Sequence, residues 1–179
     1  MREFLDKKTL LSGEAGSGKT KFIVNFLKFL VDNGYGKDTT VIDMAPSKIY
    51  GIGGSMREYT DIVSNTRYLK PENIWPPRLL GKDRLEVLKY SEENMKSLTP
   101  LIDEYLSNPT SILLVNDLTI YLHAGDIEKI LKLIDVPKTF MATAYEGVRL
   151  EDDKGSGITE RERRLLNILK KKMDNVLKF

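Results

Sequence analysis

Short unbroken apolar runs alternate along this chain with longer stretches in which apolar residues return every three or four positions. That alternation predicts strands separated by helices. The runs are Thr9 to Ser12, Thr39 to Met44, Ser111 to Asn116 and Thr139 to Thr143. None shows clean two-residue alternation, so the pattern predicts a parallel sheet covered on both faces. Helical spacing appears in Phe22, Ile23, Phe26, Leu27 and Leu30, where Gly34 stops it, and again in Leu85, Leu88, Met95 and Leu98. Asp83 with Glu86, and Thr159 with Glu162, have the spacing of capping boxes, and Asp126 is expected to cap Ile127 to Ile134. Pro100 either kinks one long helix or, with Thr99 as cap, starts a second. The tail D-N-V-L-K-F reads equally as a fifth strand or as the end of the helix through Leu165, Leu166, Leu169 and Met173.

Between the first strand and the first helix lies G-E-A-G-S-G-K-T, residues Gly13, Glu14, Ala15, Gly16, Ser17, Gly18, Lys19 and Thr20. Its glycines let the backbone curl so that successive N–H groups form a nest for phosphate oxygens. Lys19 is expected to neutralise the outer phosphates, and Thr20 to ligate Mg²⁺ through its hydroxyl. Strand before and helix after satisfy the context this motif requires. Residues 9 to 34 therefore resemble the start of P-loop NTPases. The resemblance implies a three-layer α/β sandwich, here with a mainly parallel sheet of about five strands, together with Mg²⁺ and a purine nucleoside triphosphate.

Asp117 directly follows the apolar run I-L-L-V-N, where that superfamily places the acidic residue of its second nucleotide motif. The resemblance implies that it holds a metal-bound water beside Thr20. Leu118 follows, so the adjacent glutamate of many such ATPases is missing and hydrolysis is expected to be slow or partner-stimulated. Asp43, at the carboxyl end of the second strand, is read either as the group that orients an attacking water or as an ordinary loop cap. Glu14 occupies a freely variable motif position and is expected to point outward. Thr143 is read as strand-end packing more readily than as a γ-phosphate contact, and His123 as structural more readily than as a general base.

Residues 45–82 form the least regular stretch, with Gly51 to Met56 (G-I-G-G-S-M), Arg57, Arg67, Arg78, Tyr50, Tyr59, Tyr68 and Trp75. A lid or acceptor region is the favoured reading, and a packed surface excursion the other. The loop from Gly147 to Gly157 looks mobile and suited to closing over a base or to facing a neighbouring subunit.

The 179 residues, 41% hydrophobic, suit one domain carrying that insertion. A net charge of +2 from 28 basic and 26 acidic residues gives no global field for nucleic acid, and R-E-R-R near the last helix reads as a solvated face. Without cysteine there is no disulfide framework or thiolate metal site, and one histidine rules out a histidine-rich centre. No stretch approaches the roughly 20 apolar residues of a membrane span, and the amino terminus lacks a leader pattern, so a soluble cytoplasmic protein is expected. The leading expectation is a Mg²⁺-dependent ATP-binding protein with slow hydrolysis, ATP being favoured because no guanine-reading N-K-x-D occurs. The alternatives are an ATP-dependent transferase of nucleotide-kinase or adenosyltransferase type and a non-hydrolysing regulatory module, with a protein partner or homo-oligomer left open.

Overall fold

The computed structural model describes residues 1–48 and 54–179. Its elements run β1 (Lys8–Gly13), α1 (Lys19–Asp32), β2 (Thr39–Asp43), β3 (Arg67–Leu69), α2 (Pro77–Leu80), α3 (Arg84–Ser107), β4 (Ile112–Asn116), α4 (Thr119–Leu122), α5 (Ile127–Asp135), β5 (Thr139–Tyr145), α6 (Ile158–Lys170) and β6 (Asn175–Lys178). The strands form one six-stranded sheet in the order β3-β2-β4-β5-β1-β6, and every neighbouring pair is parallel.

Each central strand supplies apolar side chains to both faces, which is why period-two alternation is absent from the sequence. Leu11, Val41, Leu114 and Met141 pack with Ile23, Phe26, Leu27 and Leu30 of α1 on one face. Leu10, Ile42, Leu113 and Ala142 pack on the other face against α3, α5 and α6 through Leu98, Ile102, Ile130, Leu133 and Leu166. Phe26, Leu27, Leu30 and Ile130 are fully enclosed. Burying one such side chain stabilises the fold by about 1.5–3 kcal/mol, so both faces are fastened to the sheet. Sheet and two helical faces make three layers.

One element takes the strand alternative of the sequence reading, and another departs from that reading. The tail forms β6, which pairs with β1 from Thr9↔Asn175 to Ser12↔Lys178. Inside the stretch read as irregular, Arg67–Leu69 forms β3, whose Tyr68 pairs with Val41. It is a three-residue edge strand, too short to show a period. The sheet thus has one strand more than the five expected. Pro100 lies inside a single α3, so the one-helix alternative holds.

Caps follow the sequence in part. Glu86 N donates to Asp83 Oδ1 at 2.9 Å and Glu128 N to Asp126 Oδ1 at 2.9 Å. The box expected from Thr159 and Glu162 does not form: Gly157 caps α6 without a side-chain bond, and Glu162 is drawn into a buried ion cluster. No helix among the described residues is long and apolar enough to cross a membrane.

All six strands end on the same edge of the sheet. From there the chain leaves β1 through α1 on one face and leaves β5 through α6 on the other. Because β1 and β5 are adjacent, their diverging connections open a crevice at the carboxyl ends of the strands, the usual ligand position in such sheets.

Candidate functional site

The loop from Gly13 to Thr20 leaves β1 at this divergence and turns straight into α1. Gly16 and Gly18 hold φ at 78° and 100°, left-handed values that glycine adopts without a Cβ penalty. Gly18 caps α1 with no side-chain bond, so the first amides of the helix lack side-chain partners and its positive dipole end faces the loop. Gly13 is fixed by proximity as well as by its φ of 152°: a Cβ there would stand 2.3 Å from the carbonyl oxygen of Phe179. The approach follows from β-pairing continued one residue beyond β6, since Phe179 N donates to Ser12 O at 2.9 Å.

Lys19 Nζ donates to Gly13 O at 2.8 Å, to Glu14 O at 2.6 Å and to Ser17 Oγ at 3.2 Å, so its ammonium is held over the loop. Burial lowers its pKa below that of an ordinary lysine, with Asp117 and Glu14 acting in the opposite direction. Glu14 is engaged rather than merely outward: its Oε2 accepts from Val148 N at 2.8 Å and Arg149 N at 3.3 Å, and its Oε1 from Ala15 N at 2.9 Å. These bonds fasten the loop after β5, expected to be mobile, onto the glycine loop. At its other end the same loop is tied to the first turn of α6, where Asp153 accepts from Thr159 N at 3.0 Å.

Asp117 leaves β4 with φ 58°, a conformation that costs a residue with a Cβ about 1–2 kcal/mol. Two bonds to Thr143 hold it there: Asp117 N donates to Oγ1 at 2.8 Å, and Leu118 N to the carbonyl oxygen at 2.9 Å. Its Oδ1 accepts from Thr119 Oγ1 at 2.8 Å. Burial raises the pKa of this carboxyl, Thr119 and Lys19 pull it down, Glu162 pushes it further up and His123 lowers it.

Residues 15–21, Asn116, Asp117, Thr119 and Thr143 line one crevice of about 250 Å³. Arg78, His123, Tyr145 and Glu162 line it too, with apolar surface from Pro46, Tyr59 and Leu79. Of the arginines in the 45–82 stretch, Arg78 is the one that reaches this crevice. Arg67 instead ties to the end of α3 through Asn108 O at 2.5 Å, and Arg57 lies 4.4 Å above the Tyr68 ring. Arg78 Nη2 sits 2.8 Å from Glu162 Oε2, which also takes His123 Nε2 at 2.7 Å, and all three side chains are buried. The Arg78 guanidinium lies 5.5 Å from the centre of the Tyr145 ring. His123 is thus joined to an arginine and a glutamate far away in sequence.

Asp43 does not line the crevice. Its carboxylate is fully buried and accepts from Ser55 Oγ at 2.7 Å, Met56 N at 2.7 Å, Tyr68 Oη at 2.5 Å, Asn116 Nδ2 at 2.9 Å and Ala45 N at 3.3 Å. That is the loop-capping geometry, and it leaves the carboxylate enclosed by protein donors. Tyr50 and Gly51 to Gly53 lie outside the described residues. Two basic residues of α6 have protein partners: Arg161 donates to Leu122 O at 3.0 Å and Gly125 O at 2.7 Å, and Arg163 pairs with Glu151.

Among the described residues, no group of three or more acidic or histidine side chains is gathered to hold a metal alone. Thr20 and Asp117 are the oxygen-bearing pair that the crevice offers from the two expected ligand positions. Such a pair suits a hard cation that brings further oxygens from its own ligand and water, as Mg²⁺ does. Asn116, Tyr145 and Glu162 were missed in the sequence reading. Asn116 had a signal in its place directly before Asp117, whereas Glu162 was misread as a helix cap. Comparison with known proteins gives no matching family model and no matching curated protein.

Proposed function

We propose that the crevice binds a purine nucleoside triphosphate, ATP before GTP, together with Mg²⁺, and that the protein is a slow or partner-stimulated ATPase of the P-loop type in the cytoplasm. The observation that carries this reading is the glycine loop opening directly into α1, with Lys19 and Asp117 in the same crevice at a topological switch point. In this reading the loop amides and the start of α1 receive phosphate oxygens, and Lys19 exchanges its carbonyl partners for the outer phosphates. Thr20 ligates the cation and Asp117 holds one of its waters. The metal supplies charge neutralisation at the terminal phosphates. Asp43, enclosed by its own donors, is not the group that orients water, and the Thr143 hydroxyl acts on Asp117 by accepting from its backbone N–H.

Transfer to an acceptor is the second reading. It is favoured by Arg78 and the apolar surface of Pro46, Tyr59 and Leu79, which extend the crevice beyond the glycine loop. Titration calorimetry with ATP and GTP, with and without magnesium, tests the binding claim. Heat is expected with ATP and should vanish in Lys19→Ala. Undiminished binding or turnover in that variant would reject the site. Product analysis with labelled ATP and candidate hydroxyl acceptors separates transfer from hydrolysis.

A further inference from the structure

We infer that Asp43 is a positioning residue that fixes Asp117 through a hydrogen-bond relay running Asp43, Asn116, Thr143, Asp117. The relay ties residues 54–56 to the end of the crevice that holds the cation. This inference rests on the nucleotide reading above and assigns Asp43 a role different from water activation.

The direction of every bond in the relay is forced. A backbone carbonyl only accepts, so Asn116 must present its amide nitrogen to Gly54 O, found at 3.1 Å, and that nitrogen also donates to Asp43 Oδ1 at 2.9 Å, which fixes the amide a second time. The carbonyl oxygen of Asn116 is thereby turned towards Thr143, whose hydroxyl donates to it at 3.0 Å. With its proton committed, Thr143 Oγ1 presents a lone pair to Asp117 N at 2.8 Å. A threonine hydroxyl free to rotate would offer that lone pair only part of the time.

What the relay holds is a conformation that does not hold itself. Among the described residues, Asp117 is one of the few other than glycine with positive φ. Backbone strain of this kind persists where the surroundings over-determine it. The side chains behind it are enclosed: Asp43 is 0% exposed, Asn116 1% and Thr143 3%. In such surroundings a fully satisfied polar chain specifies one arrangement, and a broken link leaves a buried group unpaired. At its far end the Asp43 carboxylate receives Ser55 Oγ and Met56 N, so a shift of the 54–56 backbone is felt at Asn116.

A double-mutant cycle on the full chain tests the relay. The quantity read is the factor by which Mg²⁺ tightens ATP binding, from calorimetry with and without the metal, for the unaltered chain, Asp43→Asn, Thr143→Val and the double variant. Magnesium-free affinity is measured alongside for each variant, and the magnesium factor, taken relative to it, is expected to fall about tenfold in each single variant, the scale seen when partners behind a metal ligand are removed. In the double variant it should fall no further, because both changes cut one chain. A product of the two single losses would mean that Asp43 and Thr143 act independently and would overturn the relay. So would an intact magnesium factor in the single variants. Should Asp43→Asn not fold, Asn116→Ser takes its place in the cycle with the same expected pattern. Absence of ATP binding by the unaltered chain overturns the nucleotide reading, and the relay with it. Normal binding with independent losses overturns the relay alone.

Discussion

Glycines of one loop are held by different constraints, and this sets different costs for changing them. At Gly16 an added Cβ meets nothing within 4 Å, so alanine there is opposed by its φ of 78° alone. At Gly13 the same methyl would collide with the Phe179 carbonyl, and backbone cannot step aside as a side-chain tip can. Gly13→Ala is therefore expected to lose on the order of 2 kcal/mol or more, roughly 4–8 °C in Tm for a chain of this size, and Gly16→Ala distinctly less. Thermal melts of both variants check the ranking. Equal losses would mean that the contact with the end of β6 contributes nothing.

At the level of elements, a side chain from the glycine loop organises a different connection. Glu14 holds the backbone of Val148 and Arg149, and the same stretch carries Leu150, whose N donates to Tyr145 Oη at 2.8 Å. Partial burial disfavours the charge of Glu14, but the amides of Val148, Ala15 and Arg149 outweigh it and leave its pKa below the ordinary carboxylate value. A depressed value means that the latch contributes fully above the unfolded-state pKa and is lost as pH falls through the folded one. The amide resonances of Val148 and Arg149 should therefore shift together in an NMR titration, with a midpoint below that of a free glutamate. Glu14→Gln should abolish that step. The latch illustrates what sequence hides: motif spacing located the loop, but position 14 is free in the motif, and the two amides it latches, those of Val148 and Arg149, lie more than 130 residues away. The central strands were legible because four apolar runs were bounded by turn residues. β3 was not, being a short edge strand amid glycines and prolines.

For the molecule as a whole, the buried cluster of Arg78, His123 and Glu162 joins α2, the residue that ends α4, and α6, parts that the chain order keeps apart. Its members were visible in the sequence only as separate residues with ordinary local roles, because burial and pairing arise from the fold. Removing one partner of a buried ion pair strands the other charge, so Glu162→Ala is expected to cost about 3–5 kcal/mol in urea unfolding. A loss below 1 kcal/mol would show that solvent reaches Arg78 freely. The sheet itself was foreseeable in class, since unbroken apolar strands require cover on both faces, whereas strand order depends on crossovers that no local pattern records.

Trp75 is the chain's one tryptophan, and cysteine is absent. Its ring lies 5.5 Å from that of Tyr90, and its backbone is clasped by Asn94, whose Oδ1 accepts from Trp75 N at 2.8 Å and whose Nδ2 donates to Trp75 O at 2.7 Å. Pro76 and Pro77 connect it stiffly to Arg78 at the crevice wall. The indole is thus a native fluorophore mounted beside the cavity, with no competing emitter of its kind. A chromophore attached to a single introduced thiol elsewhere can serve as its energy-transfer acceptor, so spectroscopic distances within this chain are accessible without first stripping any residue from it.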